Sequence, residues 1–168
     1  MTVRTLAAAA LLILASSPAL ATRDLGTMPF SGVMTVEWIA SEPSDGDVET
    51  VRYRIVGSVD GDTGDGREAL LSGFDLRCVG TMELGGGLIQ SDEASCRVTD
   101  RYGEGMWLDL ASGQDTWSWH TLKARFGDGT GPYATVRGEG ELTRAMLIPP
   151  GSTAPMGVFH GFIRWSRE

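Results

Sequence analysis

Apolar side chains recur at every second position along most of this chain, and that period limits what it can fold into. Val51, Tyr53 and Ile55 alternate with Arg52 and Arg54. Met106, Leu108 and Leu110 alternate with Trp107 and Asp109, and Phe159, Gly161, Ile163 and Trp165 with His160, Phe162 and Arg164. Successive side chains of a strand point to opposite faces, so a period of two means one buried face and one wet face. No segment after residue 21 carries a helical period. The expected strands are 32–40, 49–58, 68–72, 74–83, 94–99, 105–111, 116–126, 137–146 and 157–166. One turn of helix fits 131–136. Glycine accounts for 23 of the 168 residues and concentrates between these runs with Asp, Ser and Thr, which is turn chemistry. Eight or nine short strands at close spacing imply an all-β domain, an antiparallel barrel or sandwich. The acidic stretches 44–47 and 60–66 read as hairpin ends, and Pro149-Pro150-Gly151 opens an irregular stretch before the last strand.

Residues 1–21 read as a cleaved signal peptide. Arg4 provides the positive start, Leu6 to Ala15 the apolar stretch, and Ala19-Leu20-Ala21 the small-x-small pattern at the cut. About ten apolar residues span only ~15 Å as a helix, half of a bilayer core, so a membrane anchor fits poorly. Residues 22–168 are then expected as a single exported domain, periplasmic or extracellular. Loss of Arg4 moves the net charge from −8 to −9. Such an acidic domain repels phosphate backbones and anionic membranes, so neither nucleic acid nor membrane insertion is expected.

Cys78 and Cys96 are the two cysteines. In an oxidising compartment such a pair forms a structural disulfide. It would close a loop of about 19 residues, for which chain entropy gives about 3 kcal/mol. No second ligand pair or base lies nearby at a spacing that suggests a metal site or a catalytic thiol.

The stretch 78–143 carries a wider pattern: Cys78-Val79-Gly80, Ala94-Ser95-Cys96, Val98-Thr99-Asp100, Gly129-Thr130-Gly131-Pro132-Tyr133 and Gly138-Glu139-Gly140. It resembles the secreted bacterial proteins grouped with the allene oxide cyclase and dirigent-like barrels. The resemblance implies an antiparallel barrel of about eight strands, with a Cys pair around a hairpin. Its enzymes cyclise a substrate or guide radical coupling inside an apolar barrel, and none of their catalytic residues maps onto this sequence. Residues 134–136 are Ala-Thr-Val where that group commonly has a further Gly. In physical terms Gly129 and Gly131 permit a tight reversal, Tyr133 plugs the barrel end, and Gly138 and Gly140 let a strand bend.

The candidate ligand-binding residues are Trp107, Trp117, Trp119, His120, Tyr133 and His160. The indole rings would line a cavity or stack on a sugar, or else fill or cover the barrel. His120 and His160 would face the interior together if their strands were neighbours. The Asp60 to Gly66 loop fails the EF-hand spacing and reads as a solvated turn rather than a calcium site. No metal or cofactor is expected, and no Gly-x-Ser-x-Gly elbow is present. Three functions follow: a barrel binding a small apolar molecule, a cyclase- or isomerase-type enzyme in the same cavity, or a structural protein with a filled interior. Buried ionisable groups converging on a floor, such as His120 with an acid, would favour catalysis.

Overall fold

The computed structural model describes residues 24–44, 46–62, 70–86, 88–115, 120–147 and 155–167. They form eight antiparallel strands: β1 Asp24–Pro43, β2 Val48–Gly61, β3 Phe74–Gly85, β4 Leu88–Thr99, β5 Gly105–Asp115, β6 His120–Gly127, β7 Arg137–Leu147 and β8 Met156–Arg167. Each strand pairs with the next, and β8 pairs with β1, so the sheet closes into a barrel. β1 is the longest strand because it serves two partners with an offset. Residues 24–35 pair with β8 and residues 30–43 with β2. That offset is the stagger a sheet needs in order to close.

The period-two alternation becomes the inside and outside of this barrel. Met106, Leu108 and Leu110 of β5 are buried while Trp107 and Asp109 are exposed. Val51, Tyr53 and Ile55 of β2 face inward, as do Phe159 and Ile163 of β8. Cys78 on β3 stands directly opposite Cys96 on β4, and their sulfurs are bonded inside the core. The 3-10 turn over Gly131–Tyr133 follows β6. Gly131 takes a positive φ there, the conformation that its lack of a side chain permits.

Three expectations need correction. Residues 70–73 of the expected strand 68–72 form a turn instead, with 63–69 outside the described residues. β1 starts eight residues before position 32, because Gly26 and Pro29 had masked a strand. Pro29 has no N–H to place in the ladder, and its carbonyl accepts from Asp62 N at 2.9 Å. β4 starts at Leu88 rather than at 94. Its first half, Gln90-Ser91-Asp92-Glu93, is polar and mimics a loop, since one of its inward positions holds an acid.

Call lower the end reached by β1 at Asp24 and β8 at Arg167. It is shut by Leu71, Phe74 and Val136, all buried, and by half-buried Tyr133. The Tyr133 ring meets Phe74 edge-on at 5.3 Å, and its hydroxyl is 3.3 Å from Asp100 Oδ2. The upper end holds the 44–47 turn, the β3–β4 hairpin and the start of β6.

Candidate functional site

Among the described residues the core is apolar except for one cluster in its upper half. Tyr53 on β2, Asp92 on β4, His120 on β6 and Arg144 on β7 all point inward. They are 1%, 0%, 5% and 3% exposed respectively. Four strands bring them together across as many as 91 residues of sequence.

Asp92 is the hub. The Tyr53 hydroxyl donates to its Oδ1 and Arg144 Nη2 to its Oδ2. His120 Nε2 lies 2.9 Å from the same Oδ2. Arg144 Nη1 reaches the Tyr53 oxygen at 3.4 Å, and its guanidinium sits 5.3 Å from the centre of the Tyr53 ring. Asp92 is anchored by its own backbone as well. Its N–H donates to Ser112 Oγ, which donates back to the Asp92 carbonyl at 3.2 Å. A carboxylate accepts several hydrogen bonds at once, and here both oxygens are used. A buried acid beside a buried guanidinium compensates charge where water is absent.

Gly80 makes the cluster possible. It pairs directly with Tyr53 across β2 and β3, and a Cβ on it would lie 2.5 Å from Tyr53 Cζ. Only a residue without a side chain lets the ring lie across the sheet and carry its hydroxyl to Asp92. Beside Tyr53, its register partner Trp38, at a β1 bulge, is 43% exposed and meets the ring edge-on at 6.3 Å. Leu84, Ile89 and Met146, at the same end, are only half-buried. The upper end thus combines half-exposed apolar groups with an acid, an imidazole, a phenol and a guanidinium below them. Tyr53 and Arg144 are hydrogen-bonded to Asp92 and His120 lies against it, so a ligand's polar group would have to displace one of these contacts.

The expected site residues are dispersed. His120 belongs to the cluster. His160 faces outward on β8, and β7 lies between its strand and that of His120, so the two histidines do not pair inside the barrel. Trp107 is 45% exposed on the outer face, with Arg97 over its ring at 5.5 Å, so it lines no interior cavity. Tyr133 stands at the opposite end, in a cleft of about 720 Å³ that includes Tyr102, Arg101 and Arg167. Trp117 and Trp119 lie outside the described residues. Asp60 accepts from Gly73 N at 2.9 Å and Ser72 Oγ at 3.3 Å, so that acid holds a turn. Among the described residues no group of three or more His, Cys, Asp or Glu is placed to hold a metal ion.

Tyr53, Asp92 and Arg144 escaped the sequence reading. Tyr53 sat in an alternating run as an ordinary core aromatic. Arg144 and Asp92 carried no local signal, because their pairing is made by the barrel. Scans against family models, curated proteins and solved structures return no match for this chain.

Proposed function

We propose that this chain is an exported barrel that takes a small molecule at its upper end. Trp38 packs on the apolar part of the ligand, and the Tyr53–Asp92–His120–Arg144 cluster engages its polar group. The observation that carries this reading is the convergence of four ionisable side chains from four strands, with a half-exposed indole against one of them. Burying an acid and a guanidinium costs several kcal/mol per ion before pairing, and apolar residues of the same volume serve stability as well or better. A cluster kept despite that cost is the part of the barrel suited to recognition. The ligand is therefore amphiphilic, rather than the small apolar molecule expected from the tryptophans and the barrel resemblance.

The outer surface argues for a water-facing barrel. β5, β6 and β7 present Asp109, Lys123, Arg125, Glu139 and Glu141 outward. A lipid-facing barrel needs an apolar band at those positions.

A second reading, isomerase- or cyclase-type chemistry, is favoured by one contact set: Tyr53 and His120 both lie against the Asp92 carboxylate. Such a reaction takes a proton from the substrate at one atom and returns it at another, so mass is conserved and no cofactor is consumed. The mature protein purified from its native host, denatured and analysed by mass spectrometry, is expected to release one compound in near-stoichiometric amount. Trp38→Ala and Tyr53→Phe are expected to lose it. A product of unchanged mass that forms with the wild type and not with His120→Gln selects the catalytic reading. An empty protein that also retains nothing from the host's small-molecule extract leaves a filled barrel and sinks both.

A further inference from the structure

The outside of the barrel is not uniform. Opposite the charged face of β5 to β7, strands β8, β1 and β2 expose apolar side chains. Val33, Val56, Met156 and Val158 are 58%, 51%, 51% and 51% exposed. The register makes them neighbours. Val158 pairs with Val33, which pairs with Ser58, and in the adjacent row Met156 pairs with Thr35, which pairs with Val56. These six side chains form a continuous patch across three strands, and none of them is charged. Charge returns around it, with the Glu37–Arg54 ion pair at 3.2 Å above and Asp75 and Arg77 on β3. A patch of this size is within what a monomer exposes, so what distinguishes it is the lack of charge rather than its area.

We infer that this face is where two copies of the chain meet about a twofold axis. The argument rests on charge. The chain carries a net charge of −8, so two copies repel over most of their surface. At a twofold contact every residue near the axis faces its own counterpart, and any charge there meets a like charge. A partner of opposite charge would instead be drawn to the acidic surface. A face without charge on an acidic chain is thus matched to a second copy of itself. Its Val and Thr side chains are short and β-branched, which leaves the pleated surface flat enough for sheet-on-sheet packing.

The size sets the strength. With strands about 4.8 Å apart and a rise of about 3.4 Å per residue, the apolar centre covers about 200 Å². A standard interface buries about 800 Å² on each partner, so the charged rim must supply the rest and the dimer dissociates on dilution.

Sedimentation velocity of the mature chain tests this. The expected result is a monomer–dimer equilibrium whose dimer fraction rises with protein concentration. Val33→Glu combined with Val158→Glu, both at exposed positions, is expected to raise the dissociation constant at least about 10-fold while leaving the thermal midpoint unchanged. A Val33→Cys variant is expected to form a disulfide-linked dimer under mild oxidant faster than an Asp109→Cys control on the charged face. A chain that stays monomeric at every concentration, a double glutamate variant that dimerises like the wild type, or equal cross-linking at both positions overturns the proposal.

Discussion

Asp92 shows how one side chain can organise the interior of a small protein. Its two carboxylate oxygens tie β2, β6 and β7 to β4 through Tyr53, His120 and Arg144. Taking the charge from Asp92 leaves Arg144 buried with an unpaired charge. Asp92→Asn is therefore expected to cost about 3–5 kcal/mol in urea unfolding. Replacing both partners, Asp92→Leu with Arg144→Met, removes the ions together and is expected to restore stability to the wild-type level or above. Unequal recovery would mean that Tyr53 and His120 depend on the ion pair for their own placement. Gly80 offers a second test at this scale. Gly80→Ala drives a methyl group into the Tyr53 ring and is expected to cost about 1–3 kcal/mol of stability, read as a lowered thermal midpoint. That penalty should shrink but not vanish in a Tyr53→Ala background, because the methyl group would still lie 2.7 Å from the Glu93 backbone oxygen.

Among the elements, β3 and β4 separate what the sequence reveals from what it hides. The lower part of this hairpin is legible. Leu76, Cys78, Cys96 and Val98 fall on one face in a plain alternation, and the cysteine pair marks the neighbours. The upper part is not. Asp92 occupies an inward position, but a polar residue at an inward position reads locally as a loop. Only closure of the barrel shows that Arg144, 52 residues away, is waiting for it. The same limit explains β1, whose start is broken by Gly26 and Pro29. The disulfide lies between strands that the ladder already aligns, so its contribution is through the unfolded chain. Cys78→Ala with Cys96→Ala is expected to lose about 3 kcal/mol while the far-UV spectrum stays that of a sheet. A collapse of the spectrum would show that the bond sets the register and not merely the stability.

The whole molecule has a clear division of labour. Its lower end is plugged by aromatic and aliphatic side chains, its upper interior is polar, and its two outer faces differ in charge. The all-β architecture and the two-faced rows were readable from period two, whereas strand order and which row faces inward are set only by closure. The candidate site was readable only at His120, because convergence is a property of closure and not of any segment. Closure also has a consequence in time. The first described strand, residues 24–35, is held by the last, residues 156–167. Synthesis delivers those two segments well apart in time. Until residues 156–167 emerge, the strand at 24–35 keeps one edge bare. The last hydrogen-bonded seam must then be zipped by the most distant partners in the chain, the kind of contact that forms slowly.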